Sequence, residues 1–435
     1  MAEFKPVLLT LPSLTPSLAV EILPFGLTLH RIIVQADGRT HDIVVGPEDP
    51  EGHTTQKYTN TIIGRFSNRI PAGTHNIERN GIKGQITAIA NEGPNISLHG
   101  GITGFDSMSW TQLNSEDPPT LFTAAEVRNL RSPNTSYAIF RLISPDGNEG
   151  FPGKLIVEAL VALIGPGEQG RKSGVTGEPS LETTEYNLGS IILVYRAKLD
   201  EKEKVVTPVN LTQHWGFNLE ASLRDGPLPT VKEHILTLKS DRAAKLGPDA
   251  LPTHEYLLAA EYPEHGHFSK KIGHLSPKRG YDDFYLLQNE GARHIPTRIP
   301  LSSFDSELDL IKEIILPSNN VQGNPTRRPA PVAELSSAKT GIRLIFDTNQ
   351  HGVMFYTNIG ADPSVGARKK IHGGSGIKDH GDSYGPGSAA FLEFHEPISA
   401  FLDPNNKDKE DSLVTTNELY NNYVRLDVKF KEVPQ

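Results

Sequence analysis

The sequence predicts an all-β fold, either a large sandwich or a barrel. Many short apolar runs rich in β-favouring residues are separated by turn residues, and glycine (39) and proline (33) are spread along all 435 residues. Amphipathic helical stretches are scarce, and no internal repeat of fixed period is found, which argues against a propeller or a solenoid. This length suggests two or three domains, but large all-β chains often form one.

The predicted strands occur along most of the chain, and each is an apolar run between segments that contain turn residues. In chain order they cover residues 27–35, 121–127, 136–143, 154–163, 190–199, 283–287, 342–346, 352–357, 389–395 and 424–430. In the last of them apolar and charged residues alternate, which is the period of a half-buried strand. Short helical turns are expected at 241–245 and 308–315.

A further strand-like run, residues 209–219, carries a histidine in an unusual setting. It reads Val-Asn-Leu-Thr-Gln-His-Trp-Gly-Phe-Asn-Leu and holds one of only two tryptophans. Because threonine, tryptophan, phenylalanine and valine favour strands, His214 is expected on a sheet. A histidine held there can donate or accept a proton near neutral pH. The alternative is a core histidine with satisfied hydrogen bonds.

Composition narrows the classes of function. The net charge of −9 gives no reason to expect nucleic acid or an anionic membrane as a partner. The absence of cysteine removes disulfides, thiolate zinc sites and cysteine nucleophiles. No apolar run approaches the roughly 20 residues that span a bilayer, and the N-terminal residues do not resemble a signal peptide. A cytoplasmic protein is therefore expected.

Two segments in the first quarter of the chain carry hydrogen-bond donors. Asn68 and Arg69 follow an apolar stretch and suit a polyhydroxylated ligand; the alternative is that Arg65 and Arg69 are surface residues beside a turn. His99 precedes the pair Gly100-Gly101, and glycine lets the backbone approach a ligand closely. The alternative there is a simple turn with a capping histidine.

Carboxylates mark two later segments. Asp282 and Asp283 are adjacent among aromatic residues, so in a strand only one of them would face a given pocket. Glu393 lies in an apolar strand, where glutamate is rare unless it is paired or functional. By contrast, His265 and His267 lack further ligands at a recognisable metal spacing and are expected in an exposed loop.

Taken together, these segments resemble the aldose 1-epimerase (galactose mutarotase) family. No single motif is specific, but seven occur in the family's order. They are Gly-Arg-x-x-Asn-Arg-Ile at 64–70, His-Gly-Gly within 96–101 with Gly-Phe-Asp at 104–106 and Trp110, a glycine-rich motif at 147–153 with Phe151 for tyrosine, Asn-Leu-Thr-x-His within 210–219, Gly-Tyr-Asp at 280–282, Phe-Tyr-Thr at 355–357 and Leu-Glu before proline within 392–397.

The resemblance implies one large antiparallel β-sandwich with few short helices, a single domain over residues 1–435 with loop insertions near 165–180, 230–275, 317–331 and 362–388. It implies an enzyme that interconverts the α and β anomers of a free hexose such as glucose or galactose, without metal or cofactor. Glu393 would be its general base and His214 its general acid. The sugar would be bound by His99, Asn68, Arg69 and Asp282. The sugar would be the only partner of a monomer or weak homodimer.

This assignment is chemically sensible. Mutarotation needs a proton removed from the anomeric hydroxyl and another delivered to the ring oxygen, and a carboxylate and an imidazolium can do both. We therefore expect Glu393 and His214 to converge in one open cleft, about one sugar ring apart. We also expect an ion pair, with His214 protonated and Glu393 ionised.

Several positions depart from the family pattern and bear on substrate preference. They are Met354 and His395, which each replace glutamine, Asp283, which replaces histidine, and Trp215 and Gly216, which replace Ser-Tyr. Three other functions stay open. They are a non-catalytic or regulatory carbohydrate-binding protein on the same fold, a hexose-6-phosphate 1-epimerase, which needs further Arg or Lys, and a polysaccharide-active enzyme using Asp282 and Glu393 as its carboxylate pair.

Overall fold

The computed structural model describes residues 2–166, 185–224, 228–288, 295–315, 331–403 and 411–432. Across these ranges the chain forms 28 β-strands and two α-helices, joined by loops and short 3₁₀ turns. None of the helices in these ranges is long and apolar enough to span a membrane. The predicted insertions at 165–180 and 317–331 fall almost entirely outside the described residues.

The bounds of the elements are as follows. The strands are β1 Val7–Thr10, β2 Leu18–Leu23, β3 Thr28–Ala36, β4 Arg39–Asp42, β5 Ile62–Ile63, β6 Arg69–Pro71, β7 Gly73–Arg79, β8 Ile82–Ala88, β9 Ile96–Leu98, β10 Thr111–Gln112, β11 Thr135–Ser144, β12 Leu155–Ile164, β13 Glu185–Leu199, β14 Val206–Pro208, β15 Thr212–Gln213, β16 Gly216–Phe217, β17 Ile235–Leu238, β18 Arg242–Leu246, β19 Pro252–Leu258, β20 Lys270–Lys271, β21 Asp282–Leu286, β22 Arg298–Pro300, β23 Ala333–Ser336, β24 Ile342–Thr348, β25 Gly352–Tyr356, β26 Ala390–His395, β27 Leu413–Thr415 and β28 Glu418–Lys431. The helices are α1 Ala124–Leu130 and α2 Ile311–Ile315.

Two antiparallel sheets dominate the molecule. The larger has ten strands, in the order β10-β11-β12-β13-β28-β24-β23-β17-β20, with β22 also paired to β28. The second has six strands, in the order β16-β26-β25-β21-β18-β19. A four-stranded sheet, β1-β2-β3-β4, and four two-stranded ladders complete the described part. The predicted all-β, antiparallel sandwich with few short helices is therefore confirmed.

One apolar cluster joins the three larger sheets. It includes Val20 from β2, Leu193 from β13, Phe346 from β24 and Phe394 from β26. The rings of Phe346 and Phe394 lie 5.3 Å apart, centroid to centroid, between the ten-stranded and six-stranded sheets. Trp215 enters the same cluster, and its indole nitrogen donates a hydrogen bond to a backbone carbonyl of β26 at 2.8 Å. The core therefore holds the inner face of the six-stranded sheet and the residue next to His214.

The long strand β28 corrects one prediction. Residues 424–430 were expected to be half-buried, but the charged side chains Arg425 and Asp427 are buried as well. The Arg425 guanidinium donates to Asp427 at 2.6 Å, to Ser190 at 3.0 Å and to the carbonyl of Ile314 in α2 at 2.7 Å. A covering helix thus turns the expected solvent face into an internal charge network.

Two element types were also predicted wrongly. Residues 121–127 were expected in a strand, but Thr123 and Glu126 form a capping box, and α1 begins there. Glu126 is fixed further by two hydrogen bonds from the buried Arg196 guanidinium, at 2.6 and 2.7 Å. Residues 241–245 were expected to be helical, but β18 lies between β19 and β21 in the six-stranded sheet, so sheet pairing overrides the local pattern.

The described insertions are packed parts of the fold. Region 230–275 was predicted as a loop but contains β17 to β20, which extend both large sheets. His265 and His267 are not in an exposed loop: both are buried, and each ring contacts the Tyr285 hydroxyl at 3.0 Å. Region 362–388 carries Lys369, whose buried ammonium donates to Asp42 at 2.7 Å. A single domain over residues 1–435 stays a prediction.

Candidate active site

The outer face of the six-stranded sheet forms the floor of an open cavity of about 400 Å³. Side chains alternate along β26, so Leu392 and Phe394 enter the core while Phe391 and Glu393 line the cavity. The apolar run around Glu393 thus belongs to a strand that is covered on both faces. The volume is in the range of small-molecule sites, roughly 300–1,000 Å³.

All six residues that the resemblance selected line this one cavity. They are Asn68, Arg69, His99, His214, Asp282 and Glu393. They come from five separate segments, so the fold converges on them from distant parts of the chain. Their chemical roles stay predictions, but their shared location is a property of the structure.

His214 lies in a two-residue break between β15 and β16, so the prediction of a continuous strand through it is wrong. The backbone is held in the break by hydrogen bonds from Asn60 to the His214 carbonyl and from His214 to the Thr61 carbonyl, both 2.9 Å. The next residue, Trp215, is anchored in the core. The break therefore lets His214 face the cavity while its neighbour faces inward.

Glu393 and His214 are in direct contact, with 3.1 Å between Glu393 Oε1 and His214 Nε2. The expected separation of one sugar ring is therefore wrong, and a sugar has to approach the pair from the cavity side. Two further atoms of the pair, Glu393 Oε2 and His214 Nδ1, are buried and make no hydrogen bond to another residue within the described ranges.

Burial governs the protonation of this pair. It raises the pKa of Glu393 well above its usual value, an effect that Asp282 reinforces and Arg69 opposes. Burial also lowers the pKa of His214 to about 4. Both directions favour a protonated Glu393 beside a neutral His214, contrary to the expected ion pair, because separating charge in a poorly solvated site is unfavourable. The pair is thus neutral overall, with the one proton that the two groups can exchange resting on Glu393.

His99 is oriented as a hydrogen-bond donor. Its Nδ1 accepts the backbone N–H of Asn68 at 3.2 Å, which assigns the remaining ring proton to Nε2. Its ring meets His214 edge to face at 5.2 Å and stacks obliquely on Tyr58 at 4.8 Å. Burial lowers the pKa of His99 well below its usual value, so the ring is neutral at pH 7.

The glycine after His99 has a steric purpose. Gly100 has a φ of +84°, and a Cβ placed there would lie 2.1 Å from the carbonyl oxygen of Gly64. Only glycine allows the His99 loop to pack against the 64–70 segment. The glycine is therefore required by a close backbone contact and not only by a turn.

Arg69 and Asp282 lie at the charged part of the cavity. The Arg69 guanidinium donates two hydrogen bonds to the Glu92 carboxylate, at 2.6 and 2.9 Å. Burial raises the pKa of Asp282, and Arg69 opposes that rise. The adjacent carboxylate, Asp283, is not among the cavity-lining residues, as strand alternation predicted.

Other motif residues do not line the cavity but fix the loops that carry the cavity residues. Arg65 is buried, not on the surface, and its guanidinium donates to the carbonyls of Pro145 at 2.7 Å and Gly153 at 2.8 Å. The Glu149 carboxylate accepts backbone N–H groups of residues 102 and 103 at 2.8 and 3.0 Å, next to Gly101. The glycine-rich motif at 147–153 therefore holds the loop that carries His99.

The departures from the family pattern divide into two groups. Met354 lines the cavity, whereas Asp283, His395 and Trp215 do not. Gly216 acts indirectly, since a Cβ there would lie 2.5 Å from the ring of Phe391, which does line the cavity.

Several cavity residues were not predicted as site residues, although one of them, Tyr356, lies in the Phe-Tyr-Thr motif at 355–357. Tyr58 and Lys57 come from a loop before β5, Glu92 from a turn, and Tyr356 from the end of β25. Burial raises the pKa of Tyr58 to about 12, so its phenol stays protonated. The positions of Lys57, Tyr58 and Glu92 depend on tertiary packing, for which the local sequence carries no signal.

One potential ligand atom from each of His99, His214 and Glu393 lies within 4.8 Å of the other two, close enough for a shared metal ion. His99 Nδ1 already accepts a hydrogen bond, however, and its Nε2 carries the proton. The ring therefore offers a donor to a ligand oxygen, and a metal would require this contact to be given up.

Comparison with known proteins identifies the family of the chain. The family model of aldose 1-epimerases matches residues 13–190 and 183–381, so the chain belongs to that family. Galactose mutarotases from Bos taurus and Homo sapiens are each 31% identical to it over 240 residues, 55% of this chain and 54% of theirs. The matched part thus spans about half the length of these relatives. An Escherichia coli aldose 1-epimerase is 26% identical over 77% of this chain and 85% of its own.

Solved structures show the same fold. A GalM/aldose epimerase homologue from C. elegans superposes with a TM-score of 0.64 at 18% identity, covering 98% of this chain and 99% of the other. A galactose 1-epimerase from Lactobacillus acidophilus gives 0.61 at 17% identity, with coverage of 98% and 99%.

Proposed function

We propose that the protein is an aldose 1-epimerase that interconverts the α and β anomers of a free hexose such as glucose or galactose. The observation that carries this proposal is the 3.1 Å contact between Glu393 and His214 at the floor of a sugar-sized cavity. Family membership supports it.

The pair can run the reaction with the single proton that it holds. The direct contact lets that proton move from Glu393 to His214, which gives a carboxylate and an imidazolium. Glu393 then takes the proton of the anomeric hydroxyl as His214 protonates the ring oxygen, so that the ring C–O bond breaks and the aldehyde forms. After rotation about C1–C2, His214 takes the proton back, the ring oxygen attacks the other face of the aldehyde, and Glu393 protonates the new anomeric hydroxyl.

The surrounding residues fit the remaining tasks. The Nε2–H of His99 and the Arg69 guanidinium are suited to stabilising negative charge that develops on sugar oxygens. Asp282 is suited to accepting hydrogen bonds from sugar hydroxyls. The side-chain oxygen of Asn68 accepts the backbone N–H of Arg69 at 2.9 Å, which leaves its amide N–H groups for the ligand.

The alternatives explain fewer of these residues. A phosphorylated substrate needs free cations, but Lys57 lies 3.6 Å from Asp106 and Arg69 lies 2.6 Å from Glu92. A polysaccharide-active enzyme using Asp282 and Glu393 leaves His99 and His214 without a task. A binding protein without catalysis does not need a proton-sharing pair.

Polarimetry of freshly dissolved α-D-glucose and α-D-galactose tests the proposal. We expect the protein to speed the decay to equilibrium rotation. If several aldoses bind, as detected by NMR, yet mutarotate at the spontaneous rate, the carbohydrate-binding alternative replaces the enzyme. A cytoplasmic location, a monomer or weak homodimer, and the absence of cofactor, nucleic-acid and membrane partners stay predictions from the sequence.

A further inference from the structure

The cavity floor is made by three neighbouring strands in a known register. Glu393 on β26 pairs with Met354 on β25, which in turn pairs with Phe284 on β21. Two positions further along, and hence on the same face, Tyr356 on β25 pairs with Asp282 on β21. Glu393 and Asp282 therefore lie on the two outer strands of the three, with Met354 and Tyr356 on the strand between them.

This register determines what lies beneath a bound sugar. Strands are spaced about 4.8 Å apart, so β26 and β21 are separated by roughly 9–10 Å. A sugar that offers its anomeric carbon to Glu393 and other hydroxyls to Asp282 has to cross β25. Its ring then lies over Met354 and Tyr356.

The two residues of β25 differ in what they offer. The Tyr356 hydroxyl accepts the backbone N–H of Gly360 at 2.8 Å and keeps its own proton for a ligand. Met354 offers only a thioether, which is at most a weak acceptor. It is 2% exposed and belongs to an apolar cluster with Ala244, Phe284 and Ile398. Glu393, which pairs with Met354 across the sheet, is engaged by the anomeric hydroxyl in the proposed reaction.

A sugar hydroxyl directed at Met354 would lose water and gain no hydrogen bond. An unsatisfied buried polar group weakens binding by on the order of 10-fold or more. A carbon that bears only hydrogen at that ring position would instead gain apolar contact with the thioether.

We propose that Met354 is a specificity-determining residue that makes one ring hydroxyl dispensable, so that the cavity accepts a deoxy aldose at least as well as its parent hexose. This inference rests on the proposed epimerase function. It concerns the same cavity but adds the class of substrate.

The test compares kcat/KM for glucose and galactose with the values for their 2-, 3-, 4- and 6-deoxy forms, by polarimetry corrected for the spontaneous rate. For the wild-type protein, we expect kcat/KM for at least one deoxy sugar to be no lower than about half the value for its parent hexose. In Met354→Gln that deoxy-to-parent ratio should fall by about 10-fold or more, because the amide loses its partner with the deoxy sugar. Met354→Leu is the matched apolar control and should keep the ratio within about twofold.

The outcomes are distinguishable. Because each ratio is taken within one variant, partial loss of folded protein cancels. If wild type accelerates the parent hexoses but handles every deoxy form at least 10-fold worse, or if Met354→Gln leaves every ratio unchanged, the inference about Met354 is wrong and the epimerase function stands. If the protein does not speed the mutarotation of any sugar, both the proposed function and this inference are wrong.

Discussion

Two buried ionisable clusters in this fold differ in how completely their hydrogen bonds are satisfied. The Lys369 ammonium donates to the Asp42 carboxylate at 2.7 Å and to two backbone carbonyls at 2.7 and 2.9 Å, and neither side chain is exposed. Glu393 and His214 are nearly as deeply buried but share one contact, and two of their polar atoms lack partners among the other described residues.

This difference separates a charge pair that holds loops together from a pair kept ready for a ligand. A buried polar atom without a partner costs about 1–3 kcal/mol. Proteins retain such departures from good packing mainly at functional sites. The Lys369 cluster already has all three donors used, whereas a sugar hydroxyl can satisfy Glu393. Variants in the two clusters should therefore affect different properties.

The largest expected effect is on turnover. Glu393→Gln removes the proton acceptor, and we expect kcat/KM to fall by about 10³-fold or more, while His214→Asn should lower it by about 10²-fold. Polarimetry measures both, and the melting temperature of Glu393→Gln should stay near that of wild type because glutamine is neutral and the same size as the protonated Glu393. Wild-type activity in Glu393→Gln would contradict the assigned base.

The next effect is on stability. Lys369→Met leaves the Asp42 carboxylate buried without its main partner. We therefore expect the free energy of unfolding, measured in urea, to fall by about 3–5 kcal/mol. Activity per folded molecule should stay unchanged. Lys83→Met is the control, since Lys83 forms an exposed pair with Glu78 at 3.7 Å and should change stability by less than about 0.5 kcal/mol. Equal losses in the two variants would erase the distinction between clusters.

Acid should destabilise the protein before it reaches the usual carboxylate range. Burial lowers the pKa of His53 to about 3 and that of His372 and His234 to about 4. Between pH 6.5 and about 4 the unfolded state binds these protons and the folded state does not, so stability present above pH 6.5 is lost as the pH falls. At pH 5, each such histidine contributes about 2 kcal/mol less to the free energy of unfolding than it does above pH 6.5.

Glu393 acts in the opposite direction, because its raised pKa makes stability fall as the pH rises above the unfolded value. Burial also raises the pKa of Asp106, Asp282 and Asp283, which act in the same direction as Glu393. Within the described residues, nine histidines have a lowered pKa against these four carboxyls, so the net trend follows the histidines. Denaturant midpoints at pH 7, 6 and 5 measure it. A constant midpoint over that interval would show that the histidines titrate in the folded state as they do in the unfolded chain.

The smallest effect concerns the orientation of Arg69. Glu92→Gln removes the charged half of the fork that holds the guanidinium. We expect KM for hexose to rise a few-fold with a smaller change in kcat, because positioning is lost and the proton transfer is not. Glu78→Gln is the surface control. A fall in kcat alone would assign Glu92 to the chemistry instead.

The fold class could be predicted because strands leave marks in the local sequence, and the six cavity residues because their motifs together resemble those of a known family. Alternation and turn residues indicate strands, and the motif glycines, such as Gly100, are required by contacts that allow no side chain. Glu393 stood out because a carboxylate interrupts an apolar strand.

Other features could not be predicted because they arise only from tertiary packing. The contact between Glu393 and His214 depends on a break in a strand whose composition favours continuity. The proton position follows from burial depth, which the sequence does not display. Region 230–275 was predicted to be a loop because its edge strand, β19, is largely exposed and lacks an apolar stripe.

The anchoring of Trp215 in the core has a spectroscopic consequence. The chain has two tryptophans, and Trp110 and Trp215 are 2% and 0% exposed. Neither lines the sugar cavity, although Trp215 is the chain neighbour of His214. Tryptophan emission should therefore be blue-shifted in the native state and unchanged by saturating sugar. It then reports unfolding alone, so stability and ligand occupancy can be followed in one sample through separate signals.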